Sequence, residues 1–483
     1  MENSYQKFAK DVGIIGVTNL LVSLSSLILL PLFTKNLGAA NYGIWIQSQF
    51  TISLVCLFSG LGLPYAMTRF LPALSDKRRI QSEYYSVLVF VFLINLVISS
   101  LIFIFAGPIA EAFFGGATSV VRIVGFTILV SSLNAVCLGL FRSFRRMKTY
   151  SIFTIVNTYG QIGLSVYLVL NGYGLLSIFI AGLVISVISF LVLSLLIKSW
   201  IGLDRPSFSR IREYLNFSLP TILGNFSSWV VTSSDRYFIG YFLGTALVGA
   251  YSASYSLGTT PLVVVGILGF VLPPTLSKLY DEGRMDEVKI HLSYSLKYSL
   301  ALAIPFVFGA AILAHPVLRL FTTAEISAQS FHVLPVVALS ILINIFGSTI
   351  SYILILVKKP GIIGITWTMA AVVNLGLNIL AVPRIGIMGA AFSTLIAYSL
   401  ATGFQLYYSF KEFRFSIDWR FIAKSVVASG LMSAVIWWMA PQSNSVTIMT
   451  IATGGAVYAV SLLLLRGFNK EEMEFFGNIF KRV

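Results

Sequence analysis

The sequence is poor in charge, histidine and cysteine, and each shortage excludes something. Only 11% of its 483 residues are Asp, Glu, Lys or Arg, against about 25% in soluble domains. With 57% hydrophobic residues and a mean hydropathy of +0.88, the whole length reads as membrane-embedded. No stretch is long and polar enough for a separate soluble domain, which argues against catalysis by a cytosolic appendage. The two cysteines, Cys56 and Cys137, lie in apolar runs far from each other and from any histidine, so they are expected to pack as small hydrophobes. His291, His315 and His332 have no ligand spacing, and no metal or cofactor is expected. A G-x-x-x-x-G-K-[ST] loop is absent, which removes that route to nucleotide binding. Asp235 is the one carboxylate well inside an apolar segment, too few for the metal or base work of a membrane glycosyltransferase. The chain is read as a non-enzyme.

What the sequence has in abundance is apolar runs of about 20 residues, the length that crosses a bilayer. Fourteen can be placed, near 12–33, 42–63, 84–106, 120–141, 150–170, 174–197, 215–239, 246–272, 293–314, 330–357, 362–382, 387–408, 422–440 and 446–465. The opening MENSYQKFAKDVG lacks a cleavage site and leads into a full-length run, so it reads as a retained helix.

The net charge of +15 is distributed by side. Counting from a cytoplasmic N-terminus, Lys35, Arg122, Arg236, Arg319 and Arg384 fall outside, which leaves 28 of the 33 basic residues inside, Lys470, Lys481 and Arg482 among them. This bias places both termini in the cytoplasm. Most of the positive charge then faces anionic headgroups, and nucleic acid is not expected as a partner.

The chain divides into residues 1–198 with six segments, a basic linker at 199–214 (SWIGLDRPSFSRIREY), residues 215–410 with six more, and 411–483 with two additional segments and a tail. An internal repeat supports the division. Leu37-Gly38 followed by Tyr42-Gly43 recurs 206 residues later as Leu243-Gly244 followed by Val248-Gly249, and Gly174 has Gly386 as its counterpart 212 residues on. Six segments per half is an even number, so the halves share an orientation and are related by an axis along the membrane normal. The expected architecture is an all-α polytopic bundle, two six-helix lobes around a central cavity plus two C-terminal helices, with the lobes rocking.

The candidate site starts at Asp235 and Arg236, side by side inside LPTILGNFSSWVVTSSDRYFIGYFLG. A charge at that depth costs ~2.5–3.5 kcal/mol on insertion scales and survives where it meets a partner, a cavity or a substrate. Two arrangements are open. The pair faces a cavity and binds substrate, or its members neutralise each other or snorkel to the interface. Asn157 and Gln161 share a helix face at i, i+4 and are candidates for a hydrophilic lining. Gln47, Asn374 and Asn378 are among further amides that either bind neighbouring helices or line such a cavity. Arg69 in GLGLPYAMTRFLPAL and Arg142 in GLFRSFRRMK carry guanidinium groups that suit a diphosphate, or else anchor their helix ends.

Three stretches carry a family resemblance that covers nearly the whole chain. They are GIIGVTNLLVSLSSLILLPLFTKNLGAANYGIW, the basic GLFRSFRRMKTYS, and SSDRYFIGYFLG followed by VGAYSASYSL. The chain resembles the Wzx-type polysaccharide and O-antigen flippases of the multidrug/oligosaccharidyl-lipid/polysaccharide (MOP) exporter superfamily. The resemblance implies passage of a polyprenyl-diphosphate-linked oligosaccharide from the inner to the outer leaflet of the cytoplasmic membrane through a cationic cavity. It matches Asp235 and Arg236 to the family's D-R pair, and Arg69 and Arg142 to basic positions near the inner mouth. The partners it implies are the lipid-linked anionic glycan, membrane lipids and other polysaccharide-assembly membrane proteins. The rival within the superfamily is a cation-coupled multidrug antiporter, which needs buried carboxylates. A glycan polymerase would need a large outer loop, and none is present.

Overall fold

A computed structural model describes residues 2–469 and Glu472. Lys470, Lys481 and Arg482 of the basic groups lie outside the described residues. Among the described residues the secondary structure is helical, with no strand. In chain order the helices are α1 (Glu2–Ser59), α2 (Leu63–Phe70), α3 (Lys77–Ile104), α4 (Ala106–Phe113), α5 (Thr118–Ser143), α6 (Met147–Leu170), α7 (Gly174–Ile201), α8 (Ile211–Ser233) and α9 (Asp235–Leu243). They continue with α10 (Thr245–Gly258), α11 (Pro261–Asp281), α12 (Met285–Phe321), α13 (Ala324–Ser330), α14 (Val333–Leu356), α15 (Pro360–Ile385), α16 (Ile387–Glu412), α17 (Trp419–Met439) and α18 (Asn444–Leu464).

Among the described residues, 11 helices are long and apolar enough to cross a membrane. The protein is a multi-pass membrane protein, as its composition requires. The expected spans 12–33 and 42–63 fall largely in α1, which is two helices joined at a kink where Gly38 leaves the helical region (φ 76°, ψ 173°). The expected span 215–239 is shared by α8 and α9, which follow one another through Ser234 with its backbone still helical (φ −67°, ψ −26°), and the expected span 246–272 is shared by α10 and α11, separated by the Thr259–Thr260 turn.

Two compact units form, Met1–Ser252 with Trp367–Ala390, and Ala253–Thr366 with Ala391–Val483. The linker 199–214 lies within the first unit. In that unit α5 is the central helix, packed against α2, α3, α4 and α7. Leu63, Met67, Tyr84, Val91, Leu140, Phe141 and Tyr214 fill one apolar core. The linker is held by ions as well as by the apolar contacts of Trp200, Ile201, Ile211 and Tyr214 with this core. Arg210 donates to Glu213 at 2.8 Å and to the buried Glu83 of α3 at 2.7 Å, and Glu83 also accepts from Tyr214. The Arg210 hydrogen bond holds the exposed Glu213 carboxyl below its ordinary range.

In the second unit α12 is the axis, packed against α11, α14, α17 and α18. Its N-terminal half buries Leu292, Leu296, Leu300 and Ile304 against Ile350 and Ile353 of α14. Lys297 is buried there too, and its ammonium meets Glu472 at 2.8 Å and Asp418 at 3.7 Å. The rings of Phe421 and Phe468 stand 5.0 and 5.5 Å from the same ammonium. The segment after α18 is thus pinned to α12 by a charge that could not be buried alone.

The repeat read from the sequence has a structural counterpart. Gly38 and Gly244 adopt nearly the same backbone, φ 76°, ψ 173° and φ 88°, ψ 169°, a region reserved for glycine. Gly174 and Gly386 match as well, at φ 69° and 64°. A third pair was not read from the sequence. Arg145 and Lys358 both take positive φ, and the next amides, Arg146 and Lys359, each donate at 2.8 Å to carbonyls five residues back, on Phe141 and Leu354. That is the Schellman ending of a helix.

The first repeat also packs against its own copy. A methyl group built on Gly43 would collide with the Thr245 carbonyl and come within 2.9 Å of the Gly249 amide. One built on Gly249 would strike the Ala39 carbonyl and come within 3.1 Å of the Gly43 amide. Small residues at such crossings let membrane helices approach backbone to backbone.

Two predictions follow from this packing. Gly43→Ala or Gly249→Ala should lower stability by about 1–3 kcal/mol through overpacking. Gly163→Ala, with no atom within 4 Å, should not. Thermal unfolding of the purified protein in detergent would show it, and equal midpoints for all three would refute the packing argument. Glu472→Gln should cost about 3 kcal/mol, the low end for a broken buried pair because Asp418 still faces the ammonium. It should also expose the Phe468–Asn469 segment to limited proteolysis; an unchanged cleavage rate would refute that anchoring.

Candidate functional site

The break between α8 and α9 builds the site. Ser234 closes α8 by donating its amide to Val230 O at 3.0 Å, and Asp235 then opens α9. Free N–H groups at a helix start favour a carboxylate, and Asp235 Oδ1 accepts from the Arg236 amide at 2.9 Å. The Arg236 guanidinium folds back along the same turn. Its Nη1 donates to Asp235 Oδ1 at 2.6 Å and to the Thr232 carbonyl at 2.7 Å. Tyr251 of α10 donates its hydroxyl to Asp235 Oδ2. The rings of Phe50 and Tyr251 lie 4.4 and 5.4 Å from the guanidinium carbon, at cation–π distance.

Asp235 and Arg236 keep only 1% and 2% of their surface accessible. The two charges neutralise each other at 2.6 Å, and neither residue snorkels. Such a pair contributes little net stability, yet losing one member strands the other charge.

Polar contacts extend from the pair on three sides. Tyr237 and Thr51 share a hydrogen bond of 2.7 Å, and Trp229 Nε1 donates to Ser53 at 2.9 Å, which ties α8 and α9 to the second half of α1. Ser234 donates to Asn374 Oδ1 on α15 at 3.3 Å, and Asn378 donates to the same oxygen at 3.0 Å. The Gln47 amide, Asn374 Nδ2 and Asn378 Oδ1 are buried with no hydrogen-bond partner among the described residues.

The other expected site residues stand elsewhere. Arg69 and Arg142 are both exposed. They lie near the C-terminal ends of α2 and α5, helices that touch where Pro64 meets Gly139. Asn157 and Gln161 are half-buried on α6, and the Gln161 amide lies directly over Gly182 of α7. None of these four residues is among the side chains in contact with the ion pair. The residues that do surround the pair, Phe50, Thr232 and Tyr251, were not singled out from the sequence. The YSASY segment, with hydroxyls spaced through an apolar helix, was the available signal for Tyr251.

Comparisons with known proteins agree with this architecture. A probable low-salt glycan biosynthesis flippase of Haloferax volcanii, Agl15, is 22% identical over 409 residues, covering 83% of this chain and 84% of its own length. The lipid II flippase MurJ in an inward closed conformation superposes with a TM-score of 0.79 at 20% identity, over 93% of this chain and 98% of its own. An inward-facing multidrug resistance MATE transporter of the MOP superfamily gives a TM-score of 0.65 at 16% identity, over 81% and 94%. At these identities the two superpositions establish the fold alone. The family model described as polysaccharide biosynthesis protein matches residues 33–328, more than half of the sequence, and the chain belongs to that family.

Proposed function

We propose that the protein is a flippase that carries a polyprenyl-diphosphate-linked oligosaccharide from the inner to the outer leaflet of the cytoplasmic membrane, for surface polysaccharide or O-antigen assembly. One observation carries the choice between the superfamily's two chemistries. The buried carboxylates among the described residues are Glu83, Asp235 and Glu472. Each already has a cation, Arg210 at 2.7 Å, Arg236 at 2.6 Å and Lys297 at 2.8 Å. A multidrug antiporter holds its cationic cargo or coupling ion with buried negative charge, and here that charge is spent. The exposed guanidinium groups of Arg69 and Arg142 suit the opposite cargo, an anionic diphosphate.

The names of the Haloferax relative and of MurJ point the same way. In this reading the halves 1–198 and 215–410 act as six-helix lobes that open alternately to each side, supported by the recurring backbone at Gly38 and Gly244, Arg145 and Lys358, and Gly174 and Gly386. The charge bias places both termini in the cytoplasm. Arg69 and Arg142 receive the diphosphate near the inner mouth, and Asn157 and Gln161 line the polar path. Asp235 and Arg236 form a charge pair at the α8–α9 break that substrate binding or lobe movement opens. A diphosphate cannot cross hydrocarbon unaided, so such groups must replace its water while the prenyl tail stays in lipid.

The test is lipid analysis of cells lacking the protein, with inner-leaflet and outer-leaflet prenyl-linked glycan separated. A complete oligosaccharide should accumulate on the inner leaflet and clear on return of the wild-type gene. Unchanged lipids with raised sensitivity to cationic drugs would instead establish the antiporter. Arg69→Gln with Arg142→Gln should insert normally and slow transport at least about tenfold, given that a charge-assisted hydrogen bond contributes ~1.5–3 kcal/mol. Arg236→Ala should lose both stability, by roughly 3–5 kcal/mol, and transport, because it strands the buried Asp235. The double change Asp235→Asn with Arg236→Gln removes both charges and should fold while transporting poorly. Normal transport by that double variant would remove the pair from the mechanism.

A further inference from the structure

The two helices beyond the repeat, α17 and α18, enclose a recess that the transport reading does not use. It measures about 320 Å³ and lies between the C-terminal part of α12, the end of α17 and the start of α18. His315 and Arg319 line it from α12, Trp437 from α17, and Gln442, Ser443 and Asn444 from the turn into α18. The i, i+4 spacing of His315 and Arg319 presents an imidazole and a guanidinium to the same side of α12. The helix start at Asn444 adds partial positive charge to the same recess.

The depth of the recess follows from α17. That helix has 21 residues, a rise of about 31 Å, which matches a hydrocarbon core of about 30 Å. Its two ends carry exposed tryptophans, Trp419 at one and Trp437 and Trp438 at the other, with accessibilities of 64%, 74% and 82%. Exposed tryptophans at both ends of a spanning helix mark the two headgroup layers. The recess therefore opens at the level of one headgroup layer, the layer opposite Arg414, Arg420 and Lys424. On that side basic residues are scarce, so a guanidinium and an imidazole gathered in one recess are not part of a general positive surface.

We infer that this recess binds the phosphate of a lipid headgroup. Arg319 supplies paired donors to the phosphate oxygens, His315 a further ring nitrogen, and the amides of Gln442 and Asn444 reach the hydroxyls of the group esterified to it. The indole of Trp437 covers the apolar side. Two lipids carry this chemistry into that layer, an ordinary phospholipid and, if the protein is a flippase, the prenyl diphosphate it delivers. Only the second rests on the transport reading.

The experiment uses the full-length protein in micelles of an uncharged detergent. Short-chain phosphatidylglycerol, farnesyl diphosphate and an uncharged short-chain diacylglycerol are titrated separately while tryptophan fluorescence is followed. With seven tryptophans in the chain, Trp437→Phe assigns the signal. Saturable binding of either phosphate lipid is expected, weakened at least about tenfold by Arg319→Gln and partly restored by Arg319→Lys. Both residues are exposed, so unchanged unfolding midpoints should accompany the loss. Binding of both phosphate lipids identifies a shared phosphate site, and binding of phosphatidylglycerol alone identifies a phospholipid site even if the flippase reading fails. Binding of farnesyl diphosphate alone places the delivered lipid there. No saturable binding, affinity unchanged in Arg319→Gln, or equal binding of the uncharged diacylglycerol would overturn the proposal.

Discussion

A charge held away from water in a helical bundle must meet its opposite, and much of this structure is arranged around that requirement. Glu83 ties the linker to α3 through Arg210, Asp235 joins Arg236 where α8 breaks, and Glu472 brings the segment after α18 onto Lys297 of α12. In each case one partner, Arg210, Asp235 or Glu472, sits at or beyond the end of a helix. An apolar contact would hold such junctions with little directionality. A paired ion holds them at one geometry and makes separation costly, so these three places are where the fold is most specified.

The same demand decides the electrostatic character available to a cargo. Carboxylates engaged at junctions cannot also serve as cation sites, and the guanidinium groups left exposed at Arg69 and Arg142 give the free charge of the first unit a positive sign. On the proposed reading, structural necessity and substrate preference are linked, because neutralising the buried acids consumes the negative charge that an antiporter needs.

Much of this was legible in the sequence because it is periodic or local. Membrane class follows from composition, and the paired glycines at 38 and 43 and at 244 and 249 are visible as a motif because glycine alone tolerates both the backbone at Gly38 and the contact at Gly43. Segment count was less legible. Hydropathy sees an apolar run and cannot see that α8 gives way to α9 at Ser234 or that a turn at Thr259–Thr260 separates α10 from α11, since both depend on tertiary packing. The ion pairs divide in the same way. Asp235 and Arg236 are adjacent and could be read together, but Glu83 with Arg210, and Lys297 with Glu472, are joined only by the fold, and nothing in their flanking residues announces the partner. For the same reason the i, i+4 spacing of Asn157 and Gln161 on α6 was readable, while the residues facing the ion pair were not.

The two helices outside the repeat are read from the sequence as additional walls, and the structure gives them a more definite task. Both α17 and α18 pack on α12. With 37 residues, α12 rises about 55 Å and outreaches the hydrocarbon at both ends. At one end α17 supplies Phe421 and Asp418 to enclose Lys297, and at the other the α17–α18 turn closes the recess around His315 and Arg319. The cations on this overlong helix are exposed to two chemically different surroundings, and the added pair of helices completes both. A six-plus-six bundle alone would leave Lys297 without its aromatic and acidic shell. The C-terminal pair is therefore part of how α12 is stabilised, and whatever movement α12 makes carries α17 and α18 with it.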